Sequence, residues 1–343
     1  MKLGVFTHLS WPQQQRQNEV FYNSIEQVKI AESLGYHSAW FAEHHFTRYS
    51  MGSSLAVVLA HIAATTTNIR LGTAVIVPSL HDPIRVAEDT ATLDILSRGR
   101  LDVGFGRGTY GYEYAGFGVP IERSQERFRS SVLSIQDLWL SKKRGLVNDT
   151  AIDIDLVPRP YQKPHPPIFI AASRSHETLE FLLDNDFNIC IAVVQDTRDA
   201  LNLIDRYRQG CAQRARTDNM GEIPFFRYVH VAPTDRLAEQ NVKDHVEWIQ
   251  DVMQWRRHLT QTTEVNRDID DWRKIRNELP PTYEYIKANR GFIGTPEAVI
   301  NQIMELKSHG IKYLGCNFSL AGLSQKKVLA SMRLFDEKVR PFI

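Results

Sequence analysis

Along the chain, short apolar runs alternate with longer stretches of helical period. Leu3-Gly4-Val5-Phe6 predicts a strand. Phe21, Ile25, Val28 and Ala31 then recur on one helical face, with Gly35 as the stop. Ser38–Phe41 predicts a second strand, Ser53 to Thr66 a helix, and Ile69–Ile76 a third strand. Asp82-Pro83 sets an N-cap before a proline at the first helical position, and that helix ends near Ser97, before Gly99. Leu101–Gly106 is the fourth strand. Apolar runs at Pro167–Ala172, Asn188–Val194, Phe225–Val231 and Tyr313–Phe318 predict strands five to eight. Thr295-Pro296 opens the helix before the last of them, with Val299, Ile303 and Leu306 on one face and Gly310 as its stop.

Strands alternating with helices through short links imply a parallel sheet with crossover helices. Eight such strands fit a single α/β domain over residues 1–343, a (β/α)8 TIM barrel with insertions; a doubly wound open sheet is the alternative. Two segments break the repeat. Residues 141–166 are polar and proline-rich, an excursion outside the barrel. Residues 240–290 are highly charged, with Trp248, Trp255 and Trp272 interspersed, which suits a lid or interface element.

The bulk properties narrow the function. The 343 residues are 43% hydrophobic, enough for a substantial core, and the formal net charge of +1 gives no nucleic-acid footprint. The short basic runs Arg256-Arg257 and Lys142-Lys143-Arg144 read as solvated faces. Cys190, Cys211 and Cys316 have no CxxC spacing, which argues against a disulfide framework or structural zinc and fits a reducing compartment. The N-terminus lacks the apolar segment of a signal peptide. No run reaches the roughly 18 apolar residues of a membrane span, so a soluble cytoplasmic protein is expected.

Candidate chemistry gathers where predicted strands run out. Glu43-His44-His45 follows strand two. Adjacent strand residues point to opposite faces, and no HxH or HExxH spacing completes a ligand set, so no metal is expected. His8, at the end of strand one, is a candidate neighbour. Spacing leaves open whether an imidazole here moves a proton or caps a strand. Gly106–Gly111 matches GxGxxG after a strand, but a dinucleotide turn must open directly into a helix, and Tyr112–Gly118 does not read as helix-forming. Its glycines would instead let a flat ligand approach the backbone. Arg107 suits a phosphate, against the bland reading of a surface arginine in a turn. Ser173-Arg174-Ser175 offers a second anion site, against an ordinary serine N-cap. Small residues at Thr73-Ala74 would let a planar ring lie on strand three, against simple packing. Glu88-Asp89 lies in a helix and serves packing or salt bridges. There is no GxSxG elbow, no P-loop and no Cys/His pair suited to a thiol nucleophile.

In order, the chain reads Glu43-His44-His45-Phe46, Leu71–Pro78, Pro83–Asp89, Leu93-Asp94, Ser97–Arg100 and Gly106–Tyr110. This combination resembles the bacterial luciferase-like flavin monooxygenases, in particular the alkanal monooxygenase alpha chain. The likeness is dense over 36–118, looser over 167–194 and 291–320, and poor over 195–290. It implies a barrel binding reduced FMN (FMNH2) supplied by a separate flavin reductase. A C4a-peroxyflavin formed with O2 would then oxygenate a small substrate, carbonyl-bearing or apolar. It implies catalytic roles for His44 and Tyr110. It implies FMN contacts from Thr73 and Ala74, whose strand often carries an unusual peptide bond, and from Arg107, Gly108, Ala172, Ser173, Arg174 and Ser175. A homodimer follows by analogy. Luciferase alpha chains carry a reactive cysteine where this chain has Gly106, and the second phosphate turn is Ser-Arg-Ser rather than an acidic-serine pattern. Two rival expectations keep the fold: a deazaflavin-dependent dehydrogenase, and a non-catalytic subunit like the luciferase beta chain.

Overall fold

The computed structural model describes residues 1–12, 15–141, 145–147, 150–152, 155–172, 175–216 and 222–343, with the backbone alone in 145–147 and 150–152. Eleven strands are found among them: β1 (Lys2–Thr7), β2 (Ser38–Phe41), β3 (Arg70–Thr73), β4 (Leu101–Phe105), β5 (Gly145–Val147), β6 (Thr150–Ile152), β7 (Ile168–Ala171), β8 (Asn188–Cys190), β9 (Phe225–Val231), β10 (Gly291–Gly294) and β11 (Tyr313–Asn317). Nine form one parallel sheet in the order β10-β9-β11-β1-β2-β3-β4-β7-β8, and β5 and β6 make a separate antiparallel pair. The sheet curls until the end of β8 returns to β9 at a single bridged pair, Ile191 with Phe225. There Ile191 N–H donates to Pro224 O (2.9 Å) and Phe226 N–H to Ile191 O (3.1 Å).

All eight strands expected from apolar runs are present; the third and sixth are four residues shorter than their apolar runs, and the others differ by two residues at most. They were legible because a parallel strand is covered on both faces and is therefore apolar throughout; β4, for example, is buried at every position. Inside the curl, Trp40 meets Phe169 and Phe226 edge-on, at 5.4 and 5.7 Å between ring centroids. Gly72 makes room for it: a Cβ there would lie 2.1 Å from the indole. Crossover helices cap as expected. Asp82 accepts from Ile84 N–H (2.8 Å), and Thr295 from Ala298 N–H (3.3 Å). Arg85 pairs with both Glu88 and Asp89, at 3.1 and 3.3 Å.

Three expectations need correction. The segment after Gly106–Tyr110 is helical over Gly111–Gly116. It is too short to show a period, and burial of Tyr112, Glu113 and Tyr114 holds it. The strand β10, which directly follows 240–290, was not expected, because Gly291 and Gly294 flank only two apolar residues. Arg256 is not on a solvated face; it is wholly buried. Lys142, Lys143 and Arg144 lie outside the described residues. The rest of 240–290 holds the end of the helix Asp235–Arg257 and the helices Ile269–Ile275 and Tyr283–Asn289. The rings of Trp255 and Trp272 stack at 5.9 Å. Glu264, buried in the connecting loop, accepts from Thr47 Oγ1 (2.5 Å) and Arg48 N–H (2.8 Å), tying this segment to the loop that follows β2.

Candidate active site

Because the strands run parallel, the loops after β1, β2, β3, β4, β7 and β8 gather at one end of the sheet. They enclose a cavity of about 300 Å³, within the range of small-molecule sites. One wall is built of small residues, Ala74, Gly106, Ala171 and Ala172; Phe6 and Phe226 contribute aromatic surface, and Val193, Val194 and Met253 an apolar side. The smallness at Gly106 is enforced, since a Cβ there would stand 2.4 Å from Val75 Cγ2. The Ala74–Val75 peptide is cis.

His44 lies on this cavity, anchored through Nδ1. That nitrogen is 3.0 Å from Glu113 Oε1 and 3.0 Å from Arg256 Nη2. Nε2 is left as the ring nitrogen without a partner among the described residues. Glu113 Oε1 also accepts from His45 N–H (3.1 Å) and Arg256 Nη2 (3.3 Å). Arg256 donates through Nε to Tyr112 Oη (2.5 Å), and its guanidinium carbon lies 3.8 Å from the centroid of Tyr110 and 4.5 Å from that of Tyr49. The expected neighbour His8 is present, 6.5 Å from His44 between centroids, and its Nε2 meets Tyr49 Oη at 3.1 Å.

Burial sets the protonation of this cluster, with local charges adjusting it. Burial, then the Arg256 charge, pushes the His44 pKa down against the opposing pull of Glu113. His8 is pushed well down by burial and by His44 and Arg256. Both imidazoles are therefore neutral around neutral pH. Burial favours a neutral Glu113, but His44 and Arg256 outweigh it and keep the carboxylate ionised. Burial likewise opposes the Arg256 charge, and Tyr110, Tyr112 and Glu113 outweigh that and raise its pKa.

Glu43 and His45 turn away from His44 and meet His81. His45 Nε2 is 2.9 Å and His81 Nε2 2.7 Å from Glu43 Oε1, and Val77 N–H donates to Oε2 (3.3 Å). Burial would raise the Glu43 pKa, but hydrogen bonds from the two imidazoles hold it at about 2. The three ligand atoms lie within 4.8 Å of one another, a spacing that could hold a metal ion. As the side chains stand, two imidazoles and the Val77 N–H satisfy one carboxylate, which also fastens the loop after β2 to the segment after β3.

Of the residues singled out in the sequence, His44, Ala74, Arg107, Gly108, Tyr110, Ala172 and Ser175 line the cavity. Arg107 is exposed and makes no ion pair among the described residues, while Gly108 (φ +79°) turns the chain beside it. Ser175 also N-caps the helix His176–Asp184, accepting from Thr178 N–H (3.2 Å). Thr73 does not line the cavity: its hydroxyl donates to Gly104 O (2.9 Å) and accepts from Gly104 N–H (2.8 Å). Ser173 and Arg174 lie outside the described residues. Sequence reasoning missed Tyr49, Glu113 and Arg256. Only Glu113, an acid set between tyrosines, left a trace of itself.

The sequence profile of the family described as "Luciferase-like monooxygenase" matches residues 1–313. The chain is 28% identical to the oxygenase component of a flavin-dependent trigonelline monooxygenase from Acinetobacter baylyi, over 70% of this chain and 67% of that one. It is 24% identical to the alkanal monooxygenase alpha chain of the Kryptophanaron alfredi symbiont, over 100% of this chain and 98% of that one. Among solved structures, a monooxygenase from Streptomyces bottropensis has a TM-score of 0.85 at 22% identity, covering 99% of both chains. The FMN complex of the oxygenating constituent of 3,6-diketocamphane monooxygenase from Pseudomonas putida has a TM-score of 0.79 at 17% identity, over 100% of this chain and 98% of that one. An F420-dependent secondary alcohol dehydrogenase has a TM-score of 0.74 at 16% identity, over 100% of this chain and 99% of that one.

Proposed function

The chain belongs to the luciferase-like monooxygenase family, and on that premise we propose that it is the oxygenase component of a two-component system. It takes FMNH2 from a separate flavin reductase and oxygenates a small apolar or carbonyl-bearing substrate. The observation that carries this reading is one cavity bearing a small-residue wall, His44 Nε2 and the Arg107 guanidinium, neither of the last two having a partner among the described residues. The curled sheet is read as a (β/α)8 barrel whose seam is the Ile191–Phe225 pair.

The residues present fit FMN. Ala74, Gly106, Gly108 and Ala172 leave room for a flat ring against the backbone. Thr73, committed to Gly104, braces that wall from behind. Arg107 and the N-terminus of helix His176–Asp184, with Ser173, Arg174 and Ser175, would take the phosphate. When bound, FMNH2 supplies two electrons to O2, so that one oxygen atom enters the substrate and the other leaves as water. His44 holds or moves a proton at Nε2, beside Tyr110 (5.9 Å between centroids). Residues 240–290 act as a lid that excludes water from the cavity. Its reach into the site is through Met253 and Arg256.

Val57 and Leu96 are 68% and 58% exposed on the helices Leu55–Thr65 and Pro83–Leu96, and this apolar surface supports a homodimer, testable by light scattering. Among the described residues no helix is long and apolar enough to cross a membrane, and a cytoplasmic location remains part of the proposal.

The deciding experiment supplies reductase-generated FMNH2 and isotopically heavy O2, then screens small carbonyl and apolar compounds for label in the product. Label incorporation is expected. Failure to bind reduced flavin would sink the reading. The second reading, a deazaflavin-dependent dehydrogenase, is favoured by the fold shared with the F420-dependent enzyme; binding of deazaflavin in place of FMN would select it.

A further inference from the structure

Resting on the reading of His44 as the proton-handling group, we infer that Arg256 is a positioning residue that dictates which ring nitrogen of His44 carries the proton. The geometry sets two neighbours in conflict at Nδ1. Glu113 Oε1, 3.0 Å away, can only accept and asks for a proton on Nδ1. Arg256 Nη2, also 3.0 Å away, can only donate and asks for a lone pair there. A neutral imidazole satisfies one of them at a time.

Arg256 wins because it has fewer alternatives. Glu113 Oε1 keeps two other donors, His45 N–H and Arg256 Nη2. Arg256 is wholly buried, pinned by Tyr112 Oη and the faces of Tyr49 and Tyr110, and its Nη1 already lacks a partner among the described residues. Losing Nδ1 would leave Nη2 only its longer contact to Glu113 Oε1 (3.3 Å) and the second of its two N–H groups without an acceptor, the costlier defect. The proton therefore resides on Nε2, the nitrogen left for the cavity.

Resting His44 is then a hydrogen-bond donor at the cavity. It becomes a base at Nε2 only when Arg256 withdraws and Nδ1–H turns to Glu113. Arg256 closes the helix Asp235–Arg257, next to the segment latched by Glu264, so movement of that helix end would change the chemistry offered by His44. The titratable and charged groups around the ring are Glu113 and Tyr112 from helix Gly111–Gly116, Arg256, His8 at the end of β1, Glu43 beside it in the chain, Tyr49 and Tyr110. Among the described residues, only Glu113 and Arg256 of these reach Nδ1.

The test is ring-nitrogen NMR on flavin-free protein labelled at histidine. The parent protein should show His44 protonated at Nε2. Arg256→Met should move the proton to Nδ1 and raise the His44 titration midpoint, shifting the acidic limb of the turnover profile upward with it. Arg256→Lys, which keeps a charged donor, should restore the parent signature, and Glu113→Gln should retain the Nε2 proton. A parent proton on Nδ1, or an Arg256→Met protein with unchanged tautomer and midpoint, overturns the inference. If Arg256→Met does not fold, Glu113→Gln decides: loss of the Nε2 proton there overturns it as well. No flavin is needed, so the outcomes separate. The predicted tautomers without O2-dependent turnover would fail the functional reading alone, and turnover with unaltered tautomers would fail this inference alone.

Discussion

His44 meets the cavity through one nitrogen while two buried charges grip the other, so its replacement should leave the flavin seat standing. His44→Ala is expected to bind FMN normally and to lose about 10²- to 10⁴-fold in turnover, the usual weight of a general acid or base; FMN binding with full turnover would remove the proton role. Arg107→Ala takes away charge-assisted hydrogen bonds of roughly 1.5–3 kcal/mol. The FMN dissociation constant should rise about 10- to 100-fold, measured by fluorescence titration, with little change in thermal stability because Arg107 is exposed. These two residues were legible because their chemistry sits in short segments at strand ends. Arg256 was not. An Arg-Arg pair on a helix reads the same whether solvated or buried, and its burial comes from tyrosines some 140 to 210 positions away. The Glu43–His45–His81 cluster was hidden likewise, since His81 is brought in by a different loop.

Among the elements, the strands were legible and the pieces between them less so. A fully covered strand announces itself by composition, and Asp82-Pro83 or Thr295-Pro296 marks a helix start through cap chemistry. The six-residue helix Gly111–Gly116 and the Gly-Phe-Ile-Gly strand β10 carry no such signal; tertiary contacts make them. The proposed lid belongs to this scale. Glu264 is its buried tie to Thr47 and Arg48. Glu264→Ala leaves two donors without their acceptor, at a cost of roughly 1–3 kcal/mol. Amide exchange over 258–268 should accelerate while exchange in β1–β4 stays unchanged; equal protection in both proteins would show that Glu264 is no latch.

For the molecule as a whole, acid stability follows from histidines kept neutral by burial. His230 titrates at about 4, pushed down first by burial and then by Lys327 and His245. An unfolded histidine titrates near 6.5, so between about 6.5 and 4 the unfolded chain binds more protons and stability falls as pH falls. The loss from this one group is roughly 3 kcal/mol. Denaturant titrations across that window should show the decline, and His230→Gln should flatten it. Glu43, held at about 2, adds a further loss below the ordinary glutamate range of about 4.3. A slope unchanged by His230→Gln would mean that His230 does not titrate this low.

The apolar side of the cavity bears two sulfurs, Cys190 and Met253. Burial lifts the Cys190 thiol to about 12, so near neutral pH about one molecule in a hundred thousand carries the oxidisable thiolate. The Met253 thioether needs no deprotonation to be oxidised. On the proposed function, FMNH2 and O2 that part as FMN and hydrogen peroxide instead of making product would release peroxide in this cavity, which can pass one oxygen to Met253 and leave as water. Peptide mass mapping after substrate-free turnover should find sulfoxide at Met253 and an unmodified Cys190. The enzyme would then keep, in one side chain, a tally of the cycles it has wasted.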